Sequence, residues 1–216
     1  QYRQALPKGF ARTPLWPVDL FERIGPPRMP VAPAALDPGA RIRAAPLIKL
    51  PVNFGSAMEN TPVIFRGRPL LVLNRRDDTK NKTDGYTKSM YLTIQDLATG
   101  REVARFGEGH SFASAFVDGD ALHVFASEGT NRDWFQSIHR FESRDLETWG
   151  RSLAIPREGD EHLFNVSVCK DDQGYLMAYE SNRPVQFCFK FARSRDLASW
   201  TKIEGLVFAG TGNEYS

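Results

Sequence analysis

Charged, amide and aromatic side chains recur in this chain in two sets. Three polar segments carry the first: Arg75, Arg76, Asp77, Asp78 and Asp84; then Glu128, Asn131, Arg132, Asp133 and Trp134; then Glu180, Asn182 and Arg183. The second set stands just ahead of apolar runs: Glu59, Asn60 and Thr61; His110, Ser111 and Phe112; His162, Phe164 and Asn165; Asn213, Glu214 and Tyr215. Guanidinium, carboxylate and amide groups are planar and can grip hydroxyls in pairs, while an aromatic ring suits an apolar ring face. The mix fits a sugar, although any one charged loop can equally be a solvated surface. His110-Ser111-Phe112 and His162-Leu163-Phe164 stand 52 residues apart. They read as repeat equivalents, either packing at strand entrances or facing a ligand. No H-E-x-x-H or paired-cysteine spacing occurs, so no metal site and no cofactor are expected; a calcium ion in a channel is left open.

The elements that must position these residues follow from a repeated phrase. Ser143-Arg144-Asp145-Leu146-Glu147-Thr148-Trp149 returns 51 residues later as Ser194-Arg195-Asp196-Leu197-Ala198-Ser199-Trp200. A period near 50 residues points to a propeller or array. Each unit reads as four short strands rich in Val, Ile, Leu, Tyr and Phe, with Gly67, Gly119 and Gly174 at one shared hairpin position. The expected fold is all-β: a β-propeller of four-stranded blades, three of them between residues 57 and 216. The repeated phrase then forms an outer turn, where Asp caps the backbone, Leu points inward and Trp packs over the hairpin. In such a blade the first strand starts, and the loop between the second and third strands rises, on one face. Both residue sets above converge there. Gly210–Ser216 reads as the entrance to a fourth blade, and closure needs more blades than three. The native polypeptide is therefore expected to continue for about two more.

Residues 1–56 differ. They are rich in Pro, Ala and Arg, and their prolines break any long helix. They read as an irregular arm packed on the domain, with one short helix near Val18–Ile24. The whole chain has a net charge of +2 and is 41% hydrophobic and 12% aromatic. That suits a globular core and gives no basic face for nucleic acid; no apolar run is long enough for a membrane-spanning helix. Cys169 and Cys188 are too few for a disulfide scaffold and read as buried free thiols.

On the S-x-D-L-x-x-W turn and the strand pattern, residues 55–216 resemble the five-bladed propeller glycosidases, the superfamily of glycoside hydrolase family 43 and its sucrose- and fructan-acting relatives. The resemblance implies five blades in the full protein, an oligosaccharide or polysaccharide partner, and a secreted or periplasmic location. It implies glycosidic-bond cleavage by two carboxyl groups, one donating a proton and one activating water or attacking. Glu214 matches the expected acid. Thr61 and Asn165 stand where the family tends to carry aspartates, and neither side chain is a base at neutral pH. The second carboxylate then falls to Glu59, with Asp77, Asp78 or Asp133 behind it. The alternatives are a non-catalytic carbohydrate-binding propeller and a protein-interaction scaffold.

Overall fold

The computed structural model describes residues 21–23, 47–49, 59–77, 90–129, 135–185 and 187–209. The chain divides into two units, Gln1–Ser56 and Ala57–Ser216. In the first, strand β1 (Phe21–Arg23) pairs antiparallel with β2 (Leu47–Lys49). This corrects the helix expected near residues 18–24. A segment this short between Pro17 and Pro26 has too few turns to offset helix nucleation, and a partner strand satisfies its backbone instead.

The second unit is all-β among its described residues, in three four-stranded antiparallel blades, each strand bonded to the next in sequence. Blade one is β3 (Thr61–Phe65), β4 (Arg68–Arg76), β5 (Met90–Asp96) and β6 (Glu102–Phe106). Blade two is β7 (His110–Asp118), β8 (Ala121–Gly129), β9 (Phe135–Ser143) and β10 (Gly150–Ile155). Blade three is β11 (Leu163–Asp171), β12 (Gly174–Ser181), β13 (Cys188–Ser194) and β14 (Trp200–Phe208). The first strand of each later blade packs on the blade before it: β7 meets β3, β4 and β5, and β11 meets β7, β8 and β9.

Two apolar cores lie between blades. Leu70, Val72, Leu92, Ile94 and Phe106 of blade one pack with Leu122, Val124 and Phe141 of blade two. Phe125, Ile138 and Ile155 of blade two pack with Leu163, Met177 and Tyr179 of blade three. β8 is buried from Ala121 to Ser127 because both of its faces are covered. Cys188 is buried, but Cys169 is exposed. Val168 takes the face towards blade two, so its neighbour Cys169 points the other way.

The repeated phrase folds alike both times. The Asp145 carboxylate accepts the backbone N–H groups of Glu147 and Thr148 at 2.8 and 2.7 Å. Asp196 accepts those of Ala198 and Ser199 at 2.9 and 2.7 Å. Leu146 and Leu197 are buried with φ of 70° and 62°. Each Trp donates Nε1–H to the carbonyl of its Leu, yet its ring also packs on the preceding blade. Trp149 stacks on Phe106 at 3.7 Å between centroids, and Trp200 meets Phe125 edge-on at 5.6 Å.

The three hairpin glycines are not equivalent as expected. Gly67 is the second residue of its two-residue turn and Gly119 the first, whereas Gly174 follows the turn and pairs with Asp171. The paired residues Phe65–Arg68, Asp118–Ala121 and Asp171–Gly174 are the true landmarks.

Candidate functional site

Counting back from those landmarks brings one residue of each blade to the same place. In blade one it is Glu59, in blade two Phe112 and in blade three Asn165. Phe112 lies in a β-bulge between Ser111 and Ser114, and Asn165 in one between Phe164 and Val166. Glu59 and Phe112 both adopt left-handed backbone, at φ 56° and 55°. Side-chain-bearing residues pay for that conformation, and such strain persists where the surroundings hold it. The ends of the second strands fall into register too, at Asn74, Ser127 and Glu180. Bulges re-aim side chains at sheet rims. Here they help set the rim at which the strands begin.

Asn74 ties this rim together. Its amide donates to the Glu59 carbonyl at 2.7 Å, and its oxygen accepts Ala113 N–H at 3.1 Å and Ser111 Oγ–H at 3.4 Å. On the blade-three side Asn165 Nδ2 donates to Glu180 Oε2 at 2.7 Å. Glu59 and Glu180 lie near enough to repel one another. Glu59 keeps an exposed surface, but protein groups remove much of the water around its carboxyl. That desolvation, with the Glu180 charge added, pushes Glu59 up to about 7. An aromatic floor adjoins: Phe112 meets Phe135 at 4.5 Å and Phe164 at 5.6 Å, with Met90 in the same cluster.

The other residues expected at this face distribute differently. His110 and His162 are not repeat equivalents. His110 opens β7 opposite Glu128, and the matching residue of blade three is Leu163, opposite Ser181. His162 precedes the strand; its ring Nδ1 lies 2.9 Å from the Phe135 carbonyl, and its N–H donates to Asn182 Oδ1 at 2.7 Å. Arg75 turns to the opposite side of β4 from Asn74 and reaches Thr93 Oγ1 at 3.4 Å. Arg76 ends the same strand with Asp77 just beyond it, and Asn60 precedes β3. Arg183 pairs with Asp160 on the surface. Glu214, Asp78, Arg132, Asp133 and Trp134 lie outside the described residues, as do Asp84, Asn131 and Asn213.

Glu128 enters a separate cluster that spacing alone did not reveal. It accepts from Arg151 Nη2 at 2.7 Å, and its other oxygen is 3.9 Å from His139 Nδ1. His139 Nδ1 is 3.3 Å from His110 Nε2, and His110 Nδ1 is 2.9 Å from the Glu108 carbonyl. Burial pushes His110 down to about 4, so its ring is neutral at pH 7. The tautomers follow from the partners. Arg151 donates to His139 Nε2 at 3.1 Å, which leaves the His139 proton on Nδ1 to donate to His110 Nε2. Shallow grooves over Asp145 and over Asp196 lie at the outer turns, at the opposite ends of the strands from the Glu59 rim.

Solved structures that resemble the chain include two glycoside hydrolases. One is the GH32 β-fructofuranosidase of Bombyx mori, with 16% identity and a TM-score of 0.47, covering 64% of this chain and 32% of that one. The other is a thermostable family-43 glycoside hydrolase, with 16% identity and a TM-score of 0.48, covering 67% of this chain and 53% of that one. The chain thus spans about a third of the first protein and about half of the second. No family model matches it, and no curated protein does.

Proposed function

We propose that this protein is a glycan-active enzyme that cleaves a glycosidic bond at the rim formed by Glu59, Asn165 and Glu180. The reading rests on the mutual approach of two carboxyl groups from blades one and three, with Glu59 held near pKa 7. Such a pair divides the labour of glycoside hydrolysis, because one member keeps its proton while the other is ionised. Glu59 is the proton donor to the leaving oxygen. Glu180, fixed by the Asn165 amide, is the carboxylate that activates water or attacks. Phe112 and its aromatic neighbours offer a ring-stacking wall. The full protein closes as a five-bladed propeller, acts outside the cytoplasm on an oligosaccharide or polysaccharide, and uses Glu214 as a further carboxylate.

The test is turnover of a panel of aryl glycosides and oligosaccharides by the intact protein and by Glu59→Gln, Glu180→Gln and Glu214→Gln. Losing the proton donor or its partner is expected to cost 100-fold or more in kcat, by the roughly 10²–10⁴-fold worth of general acid–base catalysis. The alkaline limb of kcat/KM should lie near pH 7. Unchanged turnover in both Glu59→Gln and Glu180→Gln sinks the assignment. Asn165 favours a second reading, since an amide stands where the resemblance expects a catalytic carboxylate. On that reading the protein binds glycans without cutting them, and the panel shows saturable binding with no product.

A further inference from the structure

We propose that His110 Nε2, His139 Nδ1 and a carboxylate oxygen of Glu128 bind a divalent first-row metal ion such as zinc on the face of blade two. The three donor atoms come from consecutive strands and lie within 4.8 Å of one another. The two imidazole nitrogens are 3.3 Å apart. Two nitrogens bound tetrahedrally at roughly 2.0–2.1 Å from zinc stand about 3.3 Å apart. Glu128 Oε2 is 3.9 Å from His139 Nδ1 and closes in by a side-chain rotation. Two imidazoles and one carboxylate form a donor set suited to zinc.

The surroundings supply an outer shell. His110 Nδ1–H donates to the Glu108 carbonyl, which turns the Nε2 lone pair inward. The ring is buried and braced edge-on by Phe141 at 4.9 Å between centroids. Arg151 holds Glu128 by Oε1, leaving Oε2 as the ligand. Without metal, His139 Nδ1–H occupies the same gap by donating to His110. Binding shifts that proton to His139 Nε2, and Arg151 withdraws from Nε2 while keeping Glu128. The Nδ1–H bond of His139 breaks and an Nε2–H bond forms, so the count of bound protons is unchanged. Glu128 is the wet side of the cluster, with a third of its side chain exposed, and gives the ion its way in. Once bound, the ion cross-links β7, β8 and β9. Because the unfolded chain has no such site, binding stabilises the fold.

The experiment is calorimetric titration of the untagged, EDTA-stripped full chain with zinc chloride, followed by cobalt(II) substitution and visible spectroscopy. The expected result is one equivalent bound with a micromolar dissociation constant, a rise in Tm of roughly 5 °C at saturation, and the visible bands of four-coordinate cobalt. His139→Gln and Glu128→Gln should each weaken binding at least tenfold while circular dichroism shows the sheet intact. Absence of saturable binding at one equivalent, or equal affinity in both variants, overturns the proposal. A destabilised His139→Gln chain leaves Glu128→Gln, on the exposed side, to decide the matter.

Discussion

Gly174 shows how narrowly one residue can be specified. Its φ is 123°, and a Cβ there would meet the Ser194 carbonyl oxygen at 2.5 Å. Gly119 also has positive φ, but open space surrounds it. Gly174→Ala is therefore expected to destabilise by about 3 kcal/mol and Gly119→Ala by about 1 kcal/mol, read from urea midpoints. Glu59 makes a second prediction at this scale. Its folded pKa lies above the ordinary 4.5, so the folded chain holds that proton after the unfolded chain has lost it. Its contribution to stability is complete below about pH 4.5 and is lost as pH rises towards 7. Comparing pH-dependent urea midpoints with those of Glu59→Gln checks the sign: the variant should lose less stability over that window. Glu59 and Asn165 were visible in the sequence as residues just ahead of apolar strands. The approach of Glu59 to Glu180 was not, because it joins blades one and three, and no local pattern records a distance across that gap. His139 was invisible for a related reason: it sits in the middle of a strand, and its partners belong to three others.

At the scale of the element, the outer turn is the best-encoded feature of the chain. Asp caps the backbone, Leu fills the core and Trp closes the hairpin, and the spacing of the phrase displays it. Blade one carries a third copy in disguise. Asp96 Oδ1 accepts Ala98 and Thr99 N–H groups at 3.0 Å each, as Asp145 and Asp196 do, but Gly100 stands where the Trp would be. Each Trp presses on the blade before it. The aromatic stack is thus a joint between blades. Phe106→Leu combined with Trp149→Leu should show about 1 kcal/mol of coupling in a double-mutant cycle, and Trp149 paired with Phe125→Leu about none. Blade three has a different brace. Buried Glu161 accepts from Lys190 Nζ and from Ser181 Oγ. Lys190→Met strands that charge and is expected to cost about 3 kcal/mol in chemical denaturation, whereas Lys190→Arg retains most of the stability.

Over the whole of residues 57–216, the cores are shared between neighbours. The first joins blades one and two, and the second joins blades two and three. Ile94 and Met177 are both fully buried, one in each core. Ile94→Ala in blade one should therefore lower the unfolding midpoint of the whole unit by the same amount whether followed near Trp149 or Trp200, at a cost of about 3 kcal/mol. Separate midpoints for the two reporters would mean that the blades unfold independently. In the last strand of blade three, Leu206, Val207 and Phe208 are 49%, 39% and 64% exposed. The all-β, bladed architecture was legible because four strands per unit, the turn phrase and the hairpins repeat. What blurred the reading was its choice of ruler. Outer turns recur at Asp96, Asp145 and Asp196, while the inner hairpins keep a slightly longer and constant interval. Loop-length differences between the second and third strands absorb the mismatch. For protein engineering this makes the inner rim of blades one and two a pair of matched sockets. A side chain grafted from Glu59 onto Phe112 enters left-handed backbone like its own, whereas Asn165 lacks that positive φ. A graft guided by the spacing of the tryptophans would instead miss that socket and land at His110.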